Sequence, residues 1–405
     1  MAIFASDELF WRKFAYFVGV IAFLKGVRLP SVWSATQAQF DYSSGFIKRG
    51  LFGELMDLLR IHQYSQFVVF SCVVLGVFVF LLWRYCGAIG NGAKESVVAA
   101  VFLSSLAFTY LAHLVGYLDI FLALLVLATL MISSRIIRAI AAIPIVICGV
   151  LIHEGFLFIY LPLLLFDYFI GSIVMNGVDR SVAVRNRWYA TILIGTAFGT
   201  ALGAASVPSL SPAKLTIYSQ QIAQKVDFPI RPDCVQILGR SIRDNLLNIK
   251  EQVALPYWWH NQIDSFCEFA PTLLFLLLIG YRLIDRTFTD GSNVKLKAAI
   301  TVVSLLPLAM NLFGMDVYRW SALSVLNAFI ALAITKRHFL KSSSAFPQTG
   351  VSTLLRNVAI LLIAINLSSG SGLMDGYRTR TFPFLDLRKP WIESVFHHRL
   401  TVPDR

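Results

Sequence analysis

The sequence predicts an all-α polytopic membrane protein, and three observations predict it. Of the 405 residues, 57% are hydrophobic and only 14% are charged, against about 25% charged in soluble domains. Apolar stretches near bilayer length recur along the whole chain. The short segments between them are basic on alternate sides only. So few charges cannot cover a soluble chain of this length, and lipid must replace water over much of its surface.

A helix needs about 20 mostly apolar residues to cross the hydrocarbon core. About eleven stretches qualify: 14–29, 66–84, 96–114, 117–133, 137–153, 156–174, 188–207, 269–284, 298–314, 320–335 and 356–370. The first run contains Lys25 and lacks a small-x-small cleavage site, so it reads as an uncleaved span. Without strand-like alternation or an internal repeat, a membrane β-barrel is not expected. The whole chain, 1–405, reads as a single transmembrane domain.

Basic residues in short loops mark the cytoplasmic side. With a cytoplasmic N-terminus, the inner loops hold Arg84 and Lys94, Arg135 and Arg138, Arg180, Arg185 and Arg187, then Arg282, Arg286, Lys295 and Lys297. Lys336, Arg337, Lys341 and Arg356 complete the set, while the short outer loops hold only Arg319. The net charge of +12 therefore meets anionic headgroups of the lipid bilayer. No basic stripe interleaves with aromatics, which excludes nucleic acid as a partner.

Three outer segments are substantial. In 30–65, Phe46, Leu51, Leu55, Leu58 and Leu59 alternate with Lys48, Arg49, Glu54 and Asp57 at near-helical spacing, predicting an amphipathic interfacial helix. The long loop 208–268 contains SIRDNLLNIKEQ, a second short helix, then Tyr257, Trp258 and Trp259, which suit the headgroup region. The third is the C-terminal tail, 371–405. A cytoplasmic linker is expected over 336–355. Of five cysteines, Cys234 and Cys267 share the long loop, where an oxidising exterior would allow a disulfide. No metal-ligand spacing is present.

Ionisable groups inside a membrane persist when they are paired or face water. Here they gather at span ends: Asp41, Lys48 and Arg49; His113 and Asp119; His153 and Glu154; Asp316 and Arg319. The predicted orientation, set by other residues, puts all of them at the outer face. Structural explanations stand beside these: a helix N-terminal carboxylate for Asp119, a satisfied polar contact at a helix junction for His153 and Glu154, an i,i+3 pair for Asp316 and Arg319, headgroup binding for Lys48 and Arg49, a turn aspartate for Asp41. Their common level predicts one outward-facing cavity. There a carboxylate (Asp41, else Glu154 or Asp119) would take a proton from a sugar hydroxyl. Lys48, Arg49 and Arg319, with His113, would bind a lipid phosphate, His153 would bind it too or orient the neighbouring carboxylate, and Asp316 would hold Arg319. No GxxxxGK[ST] or GxSxG signature appears.

The many spans, the N-in start and an acidic residue in the first outer loop beside an amphipathic helix resemble the GT-C superfamily of integral membrane glycosyltransferases. DYSSGFIKRGLFG also looks like a segment of bacterial polysaccharide-cluster membrane proteins. The resemblance implies a bacterial inner-membrane enzyme whose site faces the periplasm or exterior. It would move a sugar from a polyprenyl-phosphate-linked donor to a glycan or lipid acceptor, with Asp41 as base. No cofactor is implied with certainty, and a divalent cation is compatible. Two alternatives remain open. An O-antigen-type polymerase or ligase would use Arg231, Arg240, Arg243 and His260 of the long loop for phosphate. A lipid-linked sugar or ion transporter would place charges near the midplane instead.

Overall fold

The computed structural model describes residues 2–87, 93–176, 179–207, 209–240, 242–287, 292–312, 314, 316–342, 353–373 and 379. Among them the chain is helical, with no strand beyond a single bridge at Gly372. In order come α1 (Ala2–Gly26), α2 (Val32–Gln37), α3 (Gly50–Leu58), α4 (Tyr64–Gly87), α5 (Ala93–Ser104) and α6 (Leu106–His113). Next are α7 (Leu118–Met131), α8 (Arg135–Ile152), α9 (Phe156–Ile159), α10 (Leu161–Asn176), α11 (Arg180–Ala205) and α12 (Pro212–Lys225). The last are α13 (Pro232–Gln236), α14 (Ile242–Val253), α15 (Pro256–Thr287), α16 (Ser292–Leu305), α17 (Val317–Ser342) and α18 (Thr353–Ser368).

Each predicted apolar stretch falls on a helix, but seven helices are long and apolar enough to cross a membrane, or eight if a bent pair counts as one. That pair, α5 and α6, bends by 56° where Ser105 caps the new helix by accepting from Phe108 N at 3.2 Å. The remaining stretches fall short for physical reasons. α7 and α18 have 14 and 16 residues, about 21 and 24 Å of rise, below the ~30 Å hydrocarbon core. α1 is long enough, but Arg12, Lys13 and Lys25 interrupt its apolar run. Lys25 is nonetheless satisfied. Its Nζ donates to the carbonyls of Asn366, Leu367 and Ser369 at 2.8, 3.1 and 2.7 Å, closing the free end of α18.

α17 is the central helix, with 94% of its apolar span buried, whereas α11 is peripheral at 11%. Polar contacts sort the helix ends into two levels. At one level meet the end of α1, the end of α6, the start of α7, the end of α8, the start of α17 and the end of α18. At the other meet the end of α7, the start of α8, Asp167 of α10 and the end of α17. α7 and α17 therefore run from the first level to the second, and α8 runs back.

The outer segments hold a correction. The predicted amphipathic helix begins only at Gly50, and its buried residues include Phe52 and Met56, while Leu58 and Leu59 are 79% and 49% exposed. The reason is close packing through glycine. A Cβ on Gly53 would sit 2.0 Å from Phe40 O, so α3 lies directly on the 40–41 backbone and turns its last leucines outward. The helix stops at Arg60, in the left-handed region (φ 55°), with Ile61 N and Arg60 N returning to Met56 O and Asp57 O, a Schellman ending. In the long loop, SIRDNLLNIKEQ forms α14 and the Trp pair opens α15, ring centroids 4.8 Å apart. The two loops fuse into a second small core of Phe40, Ile47, Tyr218, Ile222, Cys234, Val235 and Leu238. Of the expected linker 336–355, residues 336–342 continue α17 and 353–355 begin α18, which corrects its bounds; 343–352, and the tail beyond 373 apart from 379, lie outside the described residues.

Candidate functional site

The predicted residues occupy two neighbouring places rather than one. The first is a cleft where the two long segments pack together, of about 420 Å³, lined by Asp41, Ser43, Asp57, Gln221, Ile222, Gln224 and Lys225. Asp41 is 5% exposed. Its Oδ1 accepts from Ser43 N (3.0 Å) and Ser43 Oγ (2.5 Å), and its Oδ2 accepts from Lys225 Nζ at 2.8 Å. Lys225, at the end of α12, also pairs with Asp57 of α3. Tyr218, two turns earlier on α12, accepts from Asp41 N at 2.7 Å and donates to Asp41 O at 3.1 Å. Burial favours the neutral form of Asp41, but Lys225 and Ser43 outweigh it and hold the carboxyl below its ordinary value. Burial likewise opposes the Lys225 ammonium, and Asp41 and Asp57 overcome it and raise its pKa. The cleft thus carries two carboxylates bridged by one ammonium, rimmed by a hydroxyl and two amides.

The second place is an ion cluster at the same end of the bundle. Arg49 donates to both oxygens of Glu154, Nε at 3.0 Å and Nη2 at 2.5 Å. Arg319 pairs with Asp119 at 2.6 Å and with Asp316 at 3.1 Å, and stacks on Trp320 at 4.5 Å. His153, at the end of α8, accepts from Gly155 N at 2.9 Å. Burial first, then the guanidiniums of Arg49 and Arg319, push its imidazole down to about 4, with Glu154 and Asp119 pulling the other way. One histidine therefore senses both ion pairs. For Glu154, enclosure opposes ionisation, yet Arg49 and His153 hold the carboxyl well below its ordinary range. The Glu154 side chain is 54% accessible, so the pair stands at the open side of the cluster. Arg49 itself is left-handed (φ 64°) without being glycine, a conformation that costs of order 1–3 kcal/mol. Its two bonds to Glu154 help hold it there.

From Asp119 to Leu130, where the other ionic level begins, α7 rises about 17 Å, little more than half of the ~30 Å hydrocarbon thickness.

The other predicted residues are placed as follows. Lys48 donates to Arg240 O at 3.2 Å, and His113 Nδ1 lies 3.2 Å from Gly26 O. Arg231 forms a two-point pair with Asp233 at 2.9 and 2.8 Å. The Arg240 side chain is exposed. His260 is 77% exposed beside Asp264. The Arg243 and Tyr257 side chains lie outside the described residues. Cys234 and Cys267 are both free thiols, which corrects the expected disulfide. Cys234 points into the small outer core, its Sγ donating to Trp33 O at 3.7 Å, while Cys267 is exposed on α15. Among the described residues, no three His, Cys, Asp or Glu gather around a metal position.

Sequence reasoning missed Lys225 and Tyr218, because nothing local pairs them with Asp41 184 and 177 residues away. It also missed Asp167, 2% exposed, which takes Arg138, Arg337 (2.6 Å) and His338 (3.0 Å) at the other level. A lone carboxylate within an apolar span was the available signal. No protein-family model, no curated protein and no solved structure matches the chain.

Proposed function

We propose that the protein is a multi-pass glycosyltransferase of a bacterial inner membrane. It moves a sugar from a polyprenyl-phosphate-linked donor to a hydroxyl of a glycan or lipid acceptor on the extracytoplasmic side. The observation that carries this reading is the Asp41–Lys225–Asp57 cleft. Ionised carboxylates, an ammonium, a hydroxyl and two amides around about 420 Å³ match the dense donors and acceptors of a saccharide. The Arg49–Glu154 pair beside the same outer segment suits the lipid-borne phosphate.

In this mechanism Asp41, ionised at neutral pH, accepts the proton of the acceptor hydroxyl as its oxygen attacks the anomeric carbon. The bond from that carbon to the phosphate oxygen breaks, and the polyprenyl phosphate leaves with the electron pair. Arg49, released from Glu154, and Lys48 take up the new charge, with Arg319 behind them. Lys225 and Ser43 orient the base. Tyr218 fixes the backbone on either side of it.

Purified protein in proteoliposomes with polyprenyl-phosphate sugars tests the reading. Wild type should form glycosylated product, and Asp41→Asn, which keeps the shape, should lose about 100-fold or more. A donor that moves across the bilayer without sugar transfer would replace the enzyme with a transporter. The same proposal sets eleven spans with the N-terminus and the Lys336–Arg356 loop cytoplasmic and the C-terminal tail outside. Cysteine labelling of the tail only from the cytoplasm would overturn it.

A further inference from the structure

Around Asp167, at the bundle end opposite the candidate site, the described residues hold more cations than carboxylates. Asp167 of α10 takes Arg138 of α8 and Arg337 of α17. These two arginines also close the end of α7, through Ile132 O at 2.9 Å and Leu130 O at 2.5 Å. Both are thereby satisfied. Arg135, one turn before Arg138, and Arg185 of α11 stand within electrostatic reach of that group and of each other. Neither makes a hydrogen bond or ion pair among the described residues. The nearby carboxylate, Asp179, spends its Oδ1 capping α11 through Ser181 N at 2.9 Å and Val182 N at 3.3 Å. Arg135 and Arg180 also open α8 and α11, where the helix dipole disfavours cations and favours an anion.

The flanking surface is apolar. α8 packs on α11, and Ile136, Ile140, Trp188 and Ile192 on these helices are 52%, 64%, 64% and 45% exposed. A surplus of guanidinium at the head of two packed helices with exposed apolar side chains fits one occupant. We propose that the α8–α11 surface binds an anionic phospholipid, its phosphodiester on Arg135 and Arg185 and its acyl chains along Ile136, Ile140, Trp188 and Ile192. Basic pockets between transmembrane helices take anionic headgroups in this way. The proposal rests on the membrane-spanning bundle and not on the glycosyltransferase reading.

The test uses the full chain in phosphatidylcholine nanodiscs doped with phosphatidylglycerol, with retained lipid read by native mass spectrometry. Wild type should retain one phosphatidylglycerol in preference to phosphatidylcholine. Arg135→Gln with Arg185→Gln should weaken retention about 30-fold, from ~1 kcal/mol per charge near the surface and tenfold per 1.4 kcal/mol. The exposed single change Arg185→Gln, which breaks no contact, should weaken it about fivefold on the same scale. Equal retention of the two lipids, or unchanged retention by both variants, would overturn the proposal. Millimolar inorganic phosphate displacing the lipid without itself being displaced would assign the guanidiniums to a soluble anion instead, and that too would overturn it.

Discussion

Gly53→Ala should disable the candidate site without touching a charged group. The new Cβ would lie 2.0 Å from Phe40 O, 2.4 Å from Phe40 C and 2.9 Å from Asp41 N, where real Cβ contacts keep at least about 3 Å. All three are backbone atoms, so no flexible side chain can yield. Either α3 or the 40–41 backbone must move by about 1 Å. Overpacking of this kind costs about 1–3 kcal/mol, and alanine returns about 1 kcal/mol of helix propensity. The net loss of stability is therefore about 1 kcal/mol. The larger effect is on Asp41, whose backbone is displaced, since a ~1 Å misplacement of a reacting group costs about 100-fold in rate. Sugar transfer in proteoliposomes should fall by that factor while insertion is normal and the melting temperature drops slightly. Gly195→Ala on α11, whose Cβ would meet nothing, is the control. Wild-type turnover by Gly53→Ala would refute the reasoning, because the contact would then not be what positions Asp41.

Two further predictions separate buried from wet charge. Arg319→Gln strands Asp119, 2% exposed, and should cost about 3–5 kcal/mol, whereas Glu154→Gln breaks a pair open to water and should cost about 1 kcal/mol or less; heat unfolding in detergent measures both. His153 gives a pH signature. Its pKa is about 4 in the fold against an ordinary 6.5, so between these values the unfolded chain binds more protons and stability rises with pH. The stabilisation, on the order of 3 kcal/mol, is complete above about pH 6.5 and is lost as pH falls toward 4. His153→Gln should flatten that slope, and an unchanged slope would assign it to other groups.

Much of this architecture was legible because lipid imposes simple rules. Apolar stretches became helices, and alternation alone brought Arg49, Asp119, His153, Glu154, Asp316 and Arg319 to one level. Asp41 shows where legibility ended. Its partners come from α12, and whether two outer loops pack on each other depends on shape. Gly53 carried that information, but a glycine reads the same in a turn as in a close contact. The number of spans was hard to read for a related reason. α7 is shorter than a hydrocarbon core, and side chains close its ends, Arg138 and Arg337 at one and Arg319 at the other. Hydropathy counts residues and does not see such reach.

The bond between Lys25 and the end of α18 has a consequence for how the chain is made. The ammonium sits on the first helix, and its three carbonyls are 341 to 344 residues away. At about 5–20 residues per second, a ribosome needs roughly 20–70 s to supply them. Throughout that interval the bilayer holds a helix bearing an unanswered charge. The end of the first helix is thus completed only when α18 has been made, so the earliest helix carries the latest contact.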